Sequence, residues 1–375
     1  MRHWMASSFS FMVADMNAIE PIKPLTPLYG SREQFEISAA GLDAWRQSEA
    51  FARVVSFYKD YPLRSLQSNE ARALLHHLIV MRRPKRALEL GTYHAGTAEV
   101  MARALWEAGH GHLETIDPFG GERCPPIIAA LPPQLRERIS FLPVNSGFHF
   151  DRAIGNGVLY DLVLIDGNHE FEFALFDLLC AARIIRPNGL IVLDNVDQPG
   201  PRFATKQFLE HHPEWRDLTD VIRRTDPAAP LAAPQPSFPD TKFYVLEAPP
   251  YYPVTAIPHS FGSIETDRAE VDGIELELAA PARGTLHIQI YVRTFSGVEP
   301  EELEYLQSVA LDLAKLPEDP RIRLPLDRPL HSARPAGEGV IRRIEILLAF
   351  TGEQTLALRS PPLPYPARHG KSIGS

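Results

Sequence analysis

The stretch "YDLVLIDGNHEFEFALFDLLCAARIIRPNGLIVLDN", Tyr160 to Asn195, decides the fold. It holds two apolar runs, "DLVLID" (161–166) and "GLIVLD" (189–194), and each ends in a carboxylate. Between them "FEFALFDLLCAARII" has helical spacing, with Phe171, Leu175, Leu178 and Ala182 on one face. Apolar runs without polar alternation fit strands covered on both sides. Strand, helix and strand in that order imply a right-handed crossover between parallel neighbours.

The same alternation extends outward. "RALEL" (86–90), "HLETID" (112–117) and "ISFLPV" (139–144) read as earlier strands, and "TAEVMARALWEAG" (97–109) as a helix that stops at Gly109. Downstream, "RFATKQFLEHH" (202–212) reads as a helix, and "WRDLTDVI" (215–222) and "TKFYVLEA" (241–248) as strands. Upstream, residues 31–60 carry helical spacing. Ser68 can cap a further helix whose apolar face is Ala71, Leu74, Leu75, Leu78 and Ile79. The expectation is an α/β fold, a doubly wound seven-stranded Rossmann-like sheet with helices on both faces.

"DPAAPLAAPQPSFPD" (226–240) is too proline-rich for regular structure. After "APPYYPV" (248–254) the period changes to two, as in "VDGIELELAAPARGTLHIQIYVRTFSG" and "IRRIEILLAFTGEQTLALRS". A separate C-terminal antiparallel β domain of sandwich type is expected there. "PEELEYLQSVALDLAKL" (300–316) reads as a helix or helix-like interruption within it, and the tail after Pro361 as unstructured. The division is therefore 1–60 for an N-terminal arm and helices, 61–250 for the α/β domain, and 251–375 for the β domain.

The 375 residues suit two domains better than one. No apolar run reaches the length of a membrane span, so no membrane partner is expected. The first twenty residues lack a signal-peptide h-region and cleavage site and read as a loosely packed arm. A net charge of −9 repels phosphate backbones, so no nucleic-acid partner is expected. The basic cluster "MRRPKR" (81–86) suits a solvated helix end. Cys124 and Cys180 make neither a disulfide nor a metal pattern, which fits a reducing, cytoplasmic setting. His76–His77 falls mid-helix and is expected on the surface or in packing. His211–His212 falls at a helix end.

The first crossover, "RALELGTYHAGTAEVMARAL", brings a turn with Gly91 and Gly96 and a helix starting near Thr97 to the carboxyl edge of the sheet, where such folds bind ligands. The dinucleotide fingerprint is absent, because Gly91 is followed by threonine. Glu89 precedes that glycine. A negative loop suits the ammonium and sulfonium of S-adenosylmethionine better than a pyrophosphate.

Taken together, "ALELGTYHAGT", "ETIDPF", "LVLIDGNHEFEFALFDL" and "RPNGLIVLDN" resemble a class I S-adenosylmethionine-dependent methyltransferase. More narrowly they resemble the metal-dependent catechol-type O-methyltransferases and their sugar and macrolide relatives, over roughly residues 65–248. The resemblance implies that Glu89, Gly91 and Tyr93 line the methionine part, with Gly96, Thr97 and Asp166 around it. It implies Asp117 at the ribose hydroxyls and Ser146 near the adenine. One departure stands out: where the family often has a second glycine, four residues after the first, this chain has Ala95, with Gly96 next.

Asp166 and Asp194 end neighbouring strands, and Asn195 follows. Two carboxylates and an amide oxygen are hard ligands suited to Mg2+, and the resemblance implies that these three hold a divalent metal. Without a cation the two acids repel, and one of them should protonate. His169, three residues past Asp166, is positioned as the base for an acceptor hydroxyl. The catechol enzymes carry lysine at that offset and the sugar and macrolide relatives histidine. The expected acceptor is thus a small hydroxylated molecule of sugar or polyketide type. Two other readings stay open: a metal-independent methyltransferase, and a non-catalytic scaffold whose β domain binds glycans or forms homo-oligomers.

Overall fold

The computed structural model describes residues 25–61, 65–219, 242–254, 259–265, 271–296, 299–316, 320–330, 340–352 and 355–366. The N-terminal arm before residue 25 and the proline-rich segment 226–240 lie outside them.

The stretch expected to be helical over 31–60 forms two helices, α1 (Ala39–Arg46) and α2 (Glu49–Lys59), broken at Gln47 and Ser48. Ser38 and Ser48 cap them by accepting the N–H groups of Gly41 and Phe51. Next comes α3 (Asn69–Arg82), whose cap is Ser68, accepting from Ala71. The alternating segment follows: β1 (Arg86–Leu90), α4 (Gly96–Glu107), β2 (His112–Ile116), α5 (Cys124–Ala130), α6 (Pro133–Arg136), β3 (Ile139–Leu142), α7 (Ser146–Gly155), β4 (Tyr160–Ile165), α8 (Phe171–Ile184), β5 (Ile185–Leu193), α9 (Pro199–His211), β6 (Arg216–Asp217) and β7 (Tyr244–Glu247).

These strands make one seven-stranded sheet in the order β3-β2-β1-β4-β5-β7-β6. β1 to β5 are parallel, and β7 runs antiparallel between β5 and β6. The order reverses beside β1, so the loops after β1 and β4 flank the switch point where open α/β sheets bind ligands. Because successive strand residues face opposite sides, the apolar runs feed two cores. Leu162, Leu164, Leu190 and Val192 pack with α3, α4 and the N-terminal helices. Val163, Ile165, Ile191 and Leu193 pack with Phe150, Leu178 and Phe208. The buried face of α8 is Ala174, Asp177, Leu178, Ala181 and Ile184, not the expected Phe171–Ala182 set. Phe173, Phe176 and Leu179 are exposed.

His76 and His77 are fully buried in α3. The Nδ1 of His76 faces the Tyr58 hydroxyl at 2.7 Å and its Nε2 the Glu107 carboxylate at 2.9 Å. His77 faces the Tyr29 hydroxyl at 2.7 Å and stacks on Trp45 at 4.1 Å. Both are packing residues; His76 has a partner at each ring nitrogen, whereas the buried His77 Nε2 has none among the described residues. Both cysteines are free. Among the described residues no helix is long and apolar enough to cross a membrane.

The remaining strands are antiparallel: β8 (Tyr252–Val254), β9 (His259–Glu265), β10 (Val271–Glu277), β11 (Gly284–Ser296), β12 (Glu299–Asp312), β13 (Arg321–Leu330), β14 (Val340–Gly352), β15 (Leu356–Leu358) and β16 (Leu363–Pro366). A four-stranded sheet, β12-β11-β14-β9, and a three-stranded one, β13-β10-β16, share one apolar cluster around Ile274, Leu276, Ile288, Ile346 and Leu348. Two expectations are corrected here. The segment 300–316 is a strand that ends in a single 3-10 turn at Leu313–Lys315, because long-range pairing with β11 overrides its local pattern. The tail after Pro361 is structured over Leu363–Pro366, which form β16 paired with β10, and residues 367–375 lie outside the described residues.

Candidate active site

The carboxyl edge is levelled by hydrogen bonds one step beyond the strands. Gly91, Asp117, Asp166 and Asp194 donate their N–H groups to the carbonyls of Ile116, Leu142, Leu90 and Ile165 at 2.9, 3.2, 2.9 and 3.0 Å. Three acids therefore start from the same rim. Gly91 has φ 99°, and a Cβ there would lie 2.0 Å from the Asp166 carbonyl oxygen. Only glycine lets the loop after β1 touch the end of β4.

Glu89 sits one turn of the pleat below the rim, fully buried. Its Oε2 accepts the Thr115 hydroxyl at 2.5 Å, and Thr115 lies 2.6 Å from the Thr92 hydroxyl. Its Oε1 has no partner among the described residues. Burial, reinforced by the Asp166 and Asp117 charges, pushes this carboxyl up to about 8, a shift that a cationic ligand beside it would reverse.

The turn that follows holds Tyr93 and Ala95 at φ 45° and 56°. Ala95 thus adopts the left-handed backbone that the family's glycine would supply. It precedes α4 as an N-cap without a side-chain bond, leaving the N–H groups of the first turn open to an anion or a carboxylate. Gly96 and Thr97 open that helix, both buried, and the Thr97 hydroxyl lies 3.4 Å from that of Ser65.

Asp117 is saturated. It accepts the N–H groups of Tyr93 (2.9 Å) and Phe119 (2.8 Å) and the Arg123 guanidinium (3.1 Å). Arg123 also bonds the Tyr93 carbonyl at 2.7 Å and lies 5.0 Å over its ring. Ser146 opens α7, and its hydroxyl lies on the side of Asp177 of α8, which it tends to hold down. Burial pushes Asp177 up to about 6.

On the other flank, Asp194 is buried and Asp166 half-buried. One amide nitrogen bridges them: Gln67 Nε2 donates to Asp194 Oδ2 at 2.5 Å and to Asp166 Oδ2 at 3.1 Å. Asp194 Oδ1 and Asn195 Oδ1 are buried without a partner among the described residues. Burial, then the Asp166 charge, pushes Asp194 up to about 7, which is the protonation that two facing acids require without a cation. Asn195 has φ 59°, a conformation asparagine tolerates better than most residues. His169 Nε2 lies 3.5 Å from Asp166 Oδ1, and that carboxylate holds the imidazole above its ordinary range.

Among the described residues no three His, Cys, Asp or Glu side chains group closely enough to hold a metal. Two carboxylates, an orphaned amide oxygen and a second amide beside them make an oxygen-rich donor set of the kind hard divalent ions take. A groove of about 820 Å3 starts at His169 and continues past Phe171, Phe203, Lys206, Glu210 and His211. Gly200 lets α9 lie against the loop of His169, since a Cβ there would fall 2.0 Å from the His169 carbonyl oxygen.

The expected site residues Glu89, Gly91, Tyr93, Gly96, Thr97, Asp117 and Asp166 share one rim, and Asp166, Asp194, Asn195 and His169 adjoin. Ser146 lies apart from them, at the start of α7 after β3. Gln67, Thr115 and Arg123 were not anticipated. Thr115 could have been read as the strand neighbour of Glu89. Gln67 and Arg123 carry no motif that points to the rim.

Residues 88–196 match the family model described as "Methyltransferase domain". No curated protein matches the chain. Among solved structures, the O-methyltransferase TomG from Streptomyces achromogenes, involved in tomaymycin synthesis and solved with SAM, is 18% identical, with a TM-score of 0.36 over 54% of this chain and 91% of that one. An O-methyltransferase from Bacillus cereus in complex with SAH is 14% identical, with a TM-score of 0.36 over 55% and 96%. The SAH-bound Podospora anserina methyltransferase PaMTH1 is 18% identical, with a TM-score of 0.34 over 59% and 99%. Identities this low assign neither substrate nor site residues. The family match lies on the segment that carries both flanks of the rim, from the middle of β1 to the residues after β5, so the part of the doubly wound sheet around the switch point is the part that is similar to a methyltransferase domain.

Proposed function

We propose that the chain is an S-adenosylmethionine-dependent O-methyltransferase acting on a hydroxyl of a small molecule, with a divalent cation, Mg2+ by preference, at Asp166, Asp194 and Asn195. The observation that carries the reading is the pairing of a buried, half-partnered Glu89 on one side of the Gly91 contact with orphaned Asp194 and Asn195 oxygens on the other. The Glu89 side suits a cationic ligand. The Asp194 side suits a hard cation.

When bound, S-adenosylmethionine would supply the methyl carbon, and the divalent ion would polarise the acceptor hydroxyl. The chain's own residues do the rest. The N–H groups opening α4 and the Glu89 carboxyl hold the amino-acid end. Asp117 takes the ribose hydroxyls in exchange for Arg123. Tyr93 covers the methionine part. Ser146, at the start of α7, approaches the adenine. Asp166 orients the His169 imidazole, which accepts the hydroxyl proton as the oxygen–carbon bond forms and the carbon–sulfur bond breaks. Fixing donor and acceptor in line supplies much of the acceleration.

The groove beside His169 supports a polar, hydroxyl-rich acceptor of sugar or polyketide type, because it mixes two phenylalanine faces with Lys206, Glu210 and His211. We take residues 61–250 as the catalytic domain. We take 251–375 as a β domain, sandwich-like, that serves acceptor recognition or self-association.

Calorimetry with S-adenosylmethionine, followed by transfer assays on hydroxylated acceptors with Mg2+ or EDTA, tests the proposal. Binding and Mg2+-stimulated transfer are expected. His169→Ala should lower turnover by about 100-fold or more with cofactor affinity kept. Unchanged turnover removes His169 as base, and transfer that survives EDTA favours the metal-independent enzyme. No heat with S-adenosylmethionine leaves a scaffold.

A further inference from the structure

Gln67 lies far in sequence from both acids that it touches, yet it is held firmly. The Ser65 hydroxyl accepts its backbone N–H at 3.1 Å and lies 3.4 Å from the Thr97 hydroxyl at the start of α4. The next residue, Ser68, caps α3. Between these anchors the side chain reaches across the rim. Its Nε2 has two hydrogens, and it gives one to Asp194 Oδ2 at 2.5 Å and the other to Asp166 Oδ2 at 3.1 Å. The donor capacity of that nitrogen is fully spent at the point where the two carboxylates face each other.

We propose that Gln67 is a switching ligand of the cation site: its amide nitrogen holds the two carboxylates in the metal-free chain, and its amide oxygen faces the ion once a divalent cation enters. This inference rests on the metal reading above. The residue type is the argument. A lysine here would neutralise the acids permanently and exclude the ion. A leucine would leave them repelling across a buried gap. Only an amide presents a donor and an acceptor of nearly equal shape on one freely turning group. The last side-chain torsion of glutamine is broad and roughly two-fold, so the exchange of nitrogen for oxygen needs no movement of the loop. The donors that the ion gains are already aimed inward: Asp194 Oδ1 and Asn195 Oδ1 are buried and unpartnered among the described residues. With the Gln67 oxygen added, four protein groups supply oxygen, and water and the acceptor complete a hard-ion shell.

The test is calorimetric titration of Mg2+ and Mn2+ into the EDTA-stripped full chain, for wild type, Gln67→Leu, Gln67→Glu and Gln67→Asn, with thermal unfolding of each before and after metal. Gln67→Leu should weaken cation binding by about 10-fold or more, the effect typical of losing a polar group around a metal. Gln67→Glu should bind the cation more tightly than wild type and melt lower without it, with the melting point recovered on addition of metal. Gln67→Asn, too short to reach both acids, should fall between leucine and wild type. If Gln67→Leu binds the cation as tightly as wild type, or more tightly, Gln67 is only a plug and the proposal is overturned. If wild type itself takes up no cation, the metal reading fails first, and this inference with it.

Discussion

The two edges of the same sheet treat their acids in opposite ways. At the amino edge Glu247 is buried, and both Arg82 and Arg216 bind it. Asp161, at the start of β4, accepts the N–H groups of Lys85 and Arg86 at 2.8 and 2.9 Å and faces Arg186 at 3.3 Å. At the carboxyl edge Glu89 and Asp194 are just as buried, yet each keeps an oxygen without a partner and a raised pKa. An orphaned buried acceptor costs free energy that folding alone gives no reason to spend. The saturated acids hold the sheet together, and the half-satisfied ones wait for a ligand. Asp117 is the intermediate case, saturated by a guanidinium that an incoming ligand can replace.

The contrast is sharpest in one pair of substitutions. Asp194→Asn is expected to abolish Mg2+ stimulation and lower turnover by about 100-fold or more. It should also raise the metal-free melting temperature, because it removes one of two facing acids. Glu247→Gln is expected to do the reverse. It should cost about 2 kcal/mol of stability, the worth of hydrogen bonds to a charged group, and leave turnover per folded molecule unchanged. Melting curves beside single-turnover assays check both. An Asp194→Asn protein that melts lower than wild type without metal would erase the distinction between the two edges.

A smaller effect comes from pH. Burial pushes Glu89 up to about 8 and Asp194 up to about 7, both above the ordinary carboxylate range of about 4. Both are raised. The unfolded chain therefore loses these protons first, and the stability they contribute is full below about pH 4 and declines as pH rises toward 8. Metal-free melting temperature should fall over that window. The fall should shrink in Glu89→Gln and in Asp194→Asn, and Mg2+ should remove the Asp194 share. Glu107, held low by His76, contributes the opposite slope on the acid side, so the variants must be read as differences from wild type. Identical pH profiles in all three proteins would contradict the assignment of protons to the carboxyl edge.

Much of this contrast was legible in the sequence, and the reasons are physical. Contiguous apolar runs such as "DLVLI" and "GLIVL" can be buried only on both sides, which fixes a doubly wound sheet. A carboxylate at the end of such a run has nowhere to go but the rim, so Asp166 and Asp194 could be placed without coordinates. Long-range partners were not legible. Nothing near Gln67 says that its amide crosses the rim, and nothing near His76 says that Glu107 and Tyr58 close around it. The β12 strand failed for a different reason. Its register slips at a bulge, where Ile290 pairs with Gln307 but Tyr291 with Tyr305. The extra residue puts Leu306 and Val309 three apart, a spacing that mimics a helix. The face of α8, expected at Phe171, Leu175, Leu178 and Ala182, lies instead at Ala174, Asp177, Leu178, Ala181 and Ile184, because small residues and an acid rather than the bulky apolar ones turn inward.

The smallest predicted effect probes the loop that joins the two flanks. Ala95 holds a left-handed φ of 56°, where an L side chain costs about 1–2 kcal/mol and glycine almost nothing. The strain persists because the Ala95 N–H donates to Thr92 at 2.7 Å and its carbonyl accepts the first α-helical bond, from Glu99, at 3.0 Å. Ala95→Gly therefore removes the Cβ penalty but adds backbone freedom to the unfolded chain. The net expectation is a gain of up to about 1 kcal/mol in stability, with cofactor affinity unchanged, since the backbone path is already the one that glycine would take. A loss of stability would mean that the buried Ala95 methyl, part of the apolar core that also holds Ala98 and Leu75, outweighs the strain. The first turn of α4 would then owe its position to packing, where the carboxyl edge otherwise relies on polar groups held ready.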